Sequence, residues 1–174
     1  MKHYKAPWST MLIVMSALVT VLCVGISAAG WWAAFTKHQH GWIRCLALLP
    51  LVVVLATVPF AIRGYTITPS SILVHRLFWD TELPRIGLES ASAEPDAMRG
   101  SLRTFGNGGA FSFSGFYWSK RLGSYRAFVT DPRRTVVLRY ARRRVVLSPE
   151  LPGSFVGDLG VGRSAGAGDG RAGG

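Results

Sequence analysis

Two long runs of uncharged, apolar residues occupy the first third of the chain. They extend over residues 11–32 and 46–62, whereas all nine acidic residues lie at or after Asp80. A bilayer core roughly 30 Å thick is crossed by about 20 helical residues, each rising about 1.5 Å. The pattern therefore predicts two transmembrane helices, at about 11–32 and 42–62, within a helical region of residues 11–62.

Aromatic residues support this pair of spans. Trp8, Trp31, Trp32 and Trp42 lie near the predicted helix ends, where an indole ring is buried while its N–H reaches the headgroups. The connecting segment, residues 33–41, is short, so the helices are expected to form an antiparallel hairpin. Small residues at 25–30 and 56–57 favour their close approach.

Two alternatives to this hairpin remain open. Residues 42–62 contain Pro50 and Pro59, which disrupt helices in water but are tolerated in membranes, and either apolar run is also compatible with a buried helix of a soluble protein. The first run also resembles a signal peptide, with Ser27-Ala28-Ala29 as a cleavage site, although it is longer than the usual apolar core of such signals. In that case the second run would act as a stop-transfer helix in the membrane, and the following domain would still be cytoplasmic.

The distribution of basic residues predicts the orientation of the spans, because short cytoplasmic flanks are enriched in Lys and Arg. More of them lie on the side of the termini than on the connecting side: Lys2, Lys5, Arg63 and Arg76 against Lys37 and Arg44. We therefore expect a multi-pass protein of the cell membrane with both termini in the cytoplasm and residues 1–10 as a cytoplasmic flank.

The pattern changes at Arg63-Gly64 to short β-type runs separated by turn residues, which predicts a mainly-β domain. Expected strands lie at 65–68, 72–77, 78–83, 86–92, 125–129, 135–140 and 144–147. Residues 94–100 are predicted to be a loop, and the aromatic and glycine-rich residues 105–118 a mobile loop that leads into a strand. Ser148 and Pro149 favour the start of a helix, although Pro152 and Gly153 delay it to as late as residue 152. Residues 160–174 are predicted to be a disordered tail.

Several motifs in this region resemble those of the bacterial pleckstrin-homology-like (PH) domain membrane proteins. The motifs are Tyr65-Thr66-Ile67-Thr68 directly after the spans, Gly115-Phe116-Tyr117-Trp118, Leu122-Gly123-Ser124-Tyr125 and Val145-Val146-Leu147-Ser148-Pro149 before Phe155. The resemblance implies a partly closed antiparallel barrel of about seven strands with a C-terminal helix, over residues 64–159. It brings no catalytic residue with it.

Basic turns are the candidate binding residues. The chain has a net charge of +11, and its basic clusters fall at predicted turns: Lys120, Arg121, Arg133, Arg134, Arg142, Arg143 and Arg144. Each basic residue near an anionic leaflet contributes about 1 kcal/mol of attraction, so these turns suit lipid headgroups or a membrane-protein partner. The alternative is an arginine-rich composition of solvated loops. Nucleic acid is disfavoured, because the aromatic residues have the spacing of a β core and the chain has a membrane anchor.

No motif of a catalytic, metal or cofactor site is present. Cys23 and Cys45 lie in or beside the apolar runs, and His38 and His40 are too sparse for a metal site. The 106–109 glycine loop is followed by no helix, which disfavours a phosphate-binding loop. We therefore expect a non-enzymatic, membrane-anchored interaction module without a cofactor, which binds a protein, a peptide or anionic lipid headgroups. The alternative is a structural accessory subunit of a larger, transport-type membrane complex.

Overall fold

The computed structural model of the protein describes residues 1–37 and 41–161. Within these ranges the helices are α1 (Thr10–Thr36), α2 (Gly41–Ala47), α3 (Leu49–Thr57), a 3₁₀ turn (Val58–Phe60) and α4 (Pro152–Leu159). The strands are β1 (Lys2–Lys5), β2 (Ile62–Ile67), β3 (Ser71–Arg76), β4 (Asp80–Pro84), β5 (Leu88–Ala93), β6 (Leu102–Gly108), β7 (Phe113–Ser119), β8 (Gly123–Val129), β9 (Val136–Tyr140) and β10 (Arg144–Leu147).

The strands form two sheets. One has the order β1-β2-β3-β4 and the other the order β5-β9-β10-β8-β7-β6. The prediction of a mainly-β domain with a C-terminal helix is confirmed. The prediction of about seven strands was too low: nine strands follow α3 in the described part of the chain, because residues 105–118, predicted to be a mobile loop that leads into a strand, mostly belong to β6 and β7. The sheets are not purely antiparallel either, since β10 lies between β9 and β8 and pairs with β8 in parallel.

The N-terminal flank is part of the β domain. Strand β1 pairs antiparallel with β2, with Tyr4 opposite Tyr65. Outside this ladder, the Tyr4 ring meets the Phe155 ring edge-on at 5.1 Å, and Lys2 Nζ lies 2.6 Å from Asp158 Oδ1. The sequence Lys2-His3-Tyr4-Lys5 carries no apolar alternation, so its pairing was not predicted.

Helix α1 begins where β1 ends. Ser9 is its N-cap and accepts a hydrogen bond from Leu12 N at 3.2 Å, which satisfies one of the free N–H groups of the first turn. Among the described residues, α1 is the single helix long and apolar enough to cross a membrane, with a mean hydropathy of 2.5 over its most apolar window and 17% of that window buried in the protein. It extends four residues beyond the predicted end at Trp32.

The second apolar segment is broken into shorter pieces. Helix α3 starts with Pro50 in its first turn, and Pro59 lies in the 3₁₀ turn. Each proline lacks an N–H and crowds the carbonyl four residues earlier, so the segment is not one continuous helix. Its apolar helical part covers 17 residues, Arg44–Phe60, and Ile62 already belongs to β2. A second span is therefore not confirmed.

The helical segments nevertheless pack together. Helix α1 contacts both α2 and α3. Gly30 lies against Ala47, because a Cβ built on Gly30 would be 3.1 Å from the Ala47 Cβ. The predicted close approach through small residues thus occurs at Gly30, whereas Gly25 has open space around it.

The main core lies between the two sheets and under α4. Its largest fully buried side chains include Tyr65, Phe128 and Phe155. A second cluster covers the opposite face of the six-stranded sheet, where Val137 and Val146 alternate with residues of the main core and Ala97 of the 94–100 loop packs on them. The part of this sheet formed by β8, β9 and β10 is therefore buried on both faces.

Helix α4 begins later than its predicted cap. It starts at Pro152, with Leu151 at the N-cap position, whereas Ser148 is fully buried and its Oγ accepts hydrogen bonds from Thr130 N at 2.8 Å and Asp131 N at 3.3 Å. At the other end Gly160 adopts the left-handed conformation that ends the helix, with φ +59°. The rest of the predicted disordered tail, residues 162–174, lies outside the described residues.

The Tyr65 hydroxyl is expected to stabilise the core. It donates to Phe128 O at 2.6 Å and accepts from Ser148 N at 3.3 Å. Burial raises the pKa of Tyr65 to about 12, so the donor keeps its proton. Tyr65→Phe leaves these buried groups with one partner fewer and should lower the free energy of unfolding by about 1 to 3 kcal/mol, measured by denaturant titration of the full chain in a mild detergent.

A matched Tyr→Phe change provides the control. The Tyr125 hydroxyl donates to Ser101 Oγ at 2.7 Å, and Ser101 is accessible enough for water to replace the lost hydroxyl. Tyr125→Phe should therefore destabilise by less than about 1 kcal/mol. Equal losses for the two variants would contradict a special role for the Tyr65 hydroxyl.

Candidate functional site

The structure divides the predicted basic residues between the two ends of the six-stranded sheet. Because β8 and β10 are parallel, the turns that precede them lie at one end. These turns carry Lys120, Arg121, Arg142 and Arg143, and Arg144 follows as the first residue of β10. The turn between β8 and β9 lies at the other end and carries Arg133 and Arg134. A seven-residue strand separates the two ends by roughly 20 Å, so these residues do not form one patch.

The end with five basic residues is partly held by internal contacts. Arg144 Nη1 donates to Leu122 O, which ties the two turns together. The Arg143 guanidinium lies 4.6 Å from the centre of the Tyr140 ring. Lys120 and Arg142 are exposed. This end keeps basic character, but Arg143 and Arg144 already have partners within the domain.

Glu94 neutralises part of the same region. Its carboxylate contacts both Arg121 Nη2 and Arg139 Nη2 at 2.7 Å, and the Glu94 side chain is only 15% exposed. Glu94 is therefore largely covered, although it lies at the start of the predicted loop 94–100. The cause is the 94–100 loop, which folds back on the sheet through Ala97 and brings the carboxylate to the arginines.

The other end lies beside the start of α1. Ser9 N donates to Thr130 O at 3.2 Å, which joins the β8–β9 turn to the first residues of the helix. Within this turn Arg134 Nε lies 3.7 Å from Asp131 Oδ2, and Arg134 Nη1 donates to Glu150 O at 3.2 Å. Of the predicted binding residues, Arg133 and Arg134 are thus the ones adjacent to the apolar helix.

The β6–β7 hairpin tip also contacts α1. Phe111 N donates to Ser16 Oγ at 2.9 Å, and the Phe111 ring meets Trp8 edge-on at 6.4 Å. Ser112 Oγ donates to Phe60 O at 2.9 Å. Of the two phenylalanines of this segment, Phe113 packs on the second core cluster. The tip therefore reaches Ser16, about 9 Å along the helix from Thr10.

Sequence reasoning missed a cavity at the junction of the helices and the sheets. We call it the junction pocket; it has a volume of about 480 Å³. Its principal lining residues are three arginines and four phenylalanines: Arg76, Arg103, Arg126, Phe60, Phe105, Phe116 and Phe128. These residues come from β3, β6, β7, β8 and the 3₁₀ turn, so no local pattern in the sequence connects them.

Two opposed glycines form part of the pocket wall. Gly106 on β6 faces Gly115 on β7 in register, with φ of +111° and +151°. A Cβ on Gly115 would lie 2.2 Å from Phe105 O, and one on Gly106 would lie 2.4 Å from Ser114 O. Glycine is therefore required at both positions. The absence of side chains there leaves space between the neighbouring aromatic residues.

Arg76 is the buried charge of the pocket. Arg76 is 7% exposed. Its Nε donates to Thr81 Oγ1 at 3.2 Å, and its Nη1 has no hydrogen-bond partner within the described structure. The guanidinium lies 5.1 Å from the centre of the Phe128 ring and 5.4 Å from that of Phe60. Burial, followed by the nearby charge of Arg126, lowers the pKa of Arg76.

The histidines of the described chain do not form a metal site. His3 and His75, which stand far apart in sequence, have ring centres 5.6 Å apart, and both bond Thr66 Oγ1. His75 Nδ1 also lies 2.8 Å from Asp80 Oδ1. Across residues 1–37 and 41–161 no group of three or more potential ligands is close enough to hold a metal ion. His38 and His40 lie outside the described residues.

Comparison with known families agrees with the fold and with the motifs in the β domain. The bacterial PH domain family matches residues 63–161, which is more than half of the chain. Comparison with curated proteins and with solved structures gave no match. The matched range starts at the second residue of β2 and ends just after α4, so the β domain with its terminal helix is a bacterial PH domain, and the chain belongs to the bacterial PH domain family.

Proposed function

We propose that the protein is a membrane-anchored, non-enzymatic interaction module that holds its PH domain directly on the cytoplasmic surface of the cell membrane. There the domain binds anionic lipid headgroups or a protein partner. In this arrangement α1 crosses the membrane, and the α2–α3 segment returns to the same side as a second, shorter span. Both termini are then cytoplasmic.

The observation that carries this proposal is the pairing of β1 with β2. These strands directly precede α1 and directly follow the 3₁₀ turn, so the helical segment leaves and re-enters the domain at one place. Two further contacts hold the junction: Ala6 N donates to Arg63 O at 3.3 Å, and Trp8 Nε1 donates to Ile62 O at 3.3 Å. A helix that crosses the membrane must then be followed by a segment that returns.

The surface of the helices supports the same arrangement. Leu18, Val21 and Leu22 of α1 and Val52, Val53 and Leu55 of α3 are each more than half exposed in the described chain. Exposed apolar area of this extent is unfavourable in water and is covered by lipid in a membrane. The 17-residue length of the returning segment corresponds to about 25 Å, close to the lower limit for a span.

Site-specific labelling tests this topology. Cys23 and Cys45 are first replaced by alanine, and single cysteines are introduced by Lys2→Cys, Lys37→Cys and Lys120→Cys. In intact cells a membrane-impermeant maleimide should label position 37 and leave positions 2 and 120 unlabelled until the membrane is permeabilised. The protein should also remain in the membrane pellet after extraction with alkaline carbonate.

The labelling pattern separates the alternatives. Opposite sides for positions 2 and 120 would refute the returning segment and also the β1–β2 pairing. Label at none of the three positions before permeabilisation, with release by carbonate, would refute membrane anchoring.

A protein partner is a second candidate, supported by the edge strand β6. This strand lies at the end of the six-stranded sheet, and Leu102 and Phe105 on it are 67% and 76% exposed. An exposed strand edge can pair with an extended peptide. In the accessory-subunit form of this proposal, the helices rather than β6 contact the larger complex; chemical cross-linking in the native membrane would show which surface is used.

A further inference from the structure

We propose that the junction pocket binds one anionic phospholipid, with its phosphate on the guanidinium groups and the first part of an acyl chain among the phenylalanines. The inference rests on the proposed membrane anchoring and adds to it a ligand class and a defined site. It also differs from the predicted use of the basic turns, none of which lines this pocket.

The charge of the pocket favours an anion. Among the described residues, three arginines line it and no Asp or Glu does. Throughout residues 1–37 and 41–161 none of Arg76, Arg103 and Arg126 has an ion-pair partner, although Arg121, Arg134 and Arg139 of the same domain do. Arg103 and Arg126 are exposed, but Arg76 is buried, and a buried charge is unfavourable unless an opposite charge joins it.

Arg76 provides the most specific evidence for a bound anion. The free Nη1 of this buried side chain is a donor that water reaches poorly, and its other contacts are Thr81 and aromatic rings. Cation–π contacts stabilise the charge but do not satisfy an N–H group. A phosphate oxygen would satisfy it and would offset the repulsion from Arg126, which contributes to the lowered pKa of Arg76.

The remaining walls of the pocket select an amphiphile rather than a soluble anion. Phe60, Phe105, Phe116 and Phe128 provide apolar surface beside the charges. Thr57 and Phe60 also place the opening at the end of the apolar helices, where phospholipid headgroups would lie. The volume of about 480 Å³ falls in the usual range for small-molecule sites and is sufficient for a phosphate with part of one chain.

The test uses the full chain in a neutral detergent, titrated with dioctanoyl phosphatidic acid and followed by native mass spectrometry. Dioctanoyl phosphatidylcholine and inorganic phosphate serve as comparison ligands. We expect one tightly retained phosphatidic acid, and a loss of affinity of about tenfold or more in the Arg76→Gln/Arg126→Gln variant, because two charge-assisted hydrogen-bonding groups are removed. The matched control Arg142→Gln/Arg143→Gln removes the same charge at the far end of the sheet and should bind as the parent does.

Three binding results would overturn the inference: equal losses in the two double variants, equal affinity for inorganic phosphate, and no binding of phosphatidic acid. Equal losses in the two double variants would mean non-specific attraction to basic surface, and equal affinity for inorganic phosphate would mean that the apolar wall plays no part. If the near-ultraviolet circular dichroism shows that Arg76→Gln disturbs the fold, the phosphatidic acid affinity of the single variant Arg126→Gln, at an exposed residue, provides the test instead. If the chain resists carbonate extraction but binds no phosphatidic acid, the proposed membrane anchoring stands and the lipid site is refuted. Release by carbonate would contradict the anchoring itself.

Discussion

Replacing Phe155 by alanine is expected to lower the free energy of unfolding by about 3 to 5 kcal/mol. Phe155 is fully buried, and its ring meets Tyr4 at 5.1 Å and Tyr65 at 6.3 Å, both edge-on. It therefore joins α4, β1 and β2 in one core. Thermal unfolding of the full chain in mild detergent, followed by near-ultraviolet circular dichroism, measures the loss.

The same variant tests whether the N-terminal strand belongs to the domain. With the Phe155 ring removed, β1 loses its main apolar contact, so amide hydrogen exchange should rise in residues 2–5 and in their partners on β2. Phe78→Ala is the matched control, because Phe78 is 75% exposed and its removal should change stability by less than about 0.5 kcal/mol. Unchanged exchange in β1 would contradict the packing of Tyr4 on Phe155.

Much of this fold follows from local sequence patterns. Alternation of apolar residues located β8, β9 and β10 to within two residues, since Val136, Leu138, Val145 and Leu147 all face the main core. The composition change at Arg63-Gly64 located the start of the domain to within two residues. The delay of α4 to Pro152 was also foreseen, because proline is favoured in the first helical turn.

Features that depend on distant residues were not predictable in this way. Alternation indicates which side of a strand is buried but not which strand lies beside it, so the parallel β8–β10 pair was missed. The pairing of β1 depends on Phe155 and Asp158, about 150 residues away. In the second apolar segment, composition predicted a span, whereas Pro50 and Pro59 decide its local geometry.

The candidate site shows the same limit. Clusters of arginine are visible in sequence at turns, and they drew attention to Arg142, Arg143 and Arg144. The arginines of the junction pocket are isolated in sequence and come together only because Arg76 at the end of β3 lies against Phe128 of β8. The one local sign was the glycine pair, since strand glycines often mark a place where a ligand approaches the backbone.

Gly115→Ala should therefore affect both the fold and the pocket. The new Cβ would lie 2.2 Å from Phe105 O and 2.9 Å from Gly106 Cα, so β6 and β7 must separate. The positive φ of +151° adds backbone strain of about 1 to 3 kcal/mol, and overpacking against backbone adds a similar amount. We expect a loss of about 3 to 5 kcal/mol in the free energy of unfolding.

The matched control for this change is Gly157→Ala in α4, where a Cβ would meet nothing within 4 Å. Alanine there should stabilise the helix by up to about 1 kcal/mol, so the two Gly→Ala variants should shift the melting temperature in opposite directions. Hydrogen exchange should increase in residues 102–119 of the Gly115 variant and remain low in β9 and β10. Since Gly115 lines the junction pocket, the variant should also lose phosphatidic acid under conditions where it is still folded. Retained binding together with a separated β6–β7 hairpin would show that the glycine wall serves the fold alone.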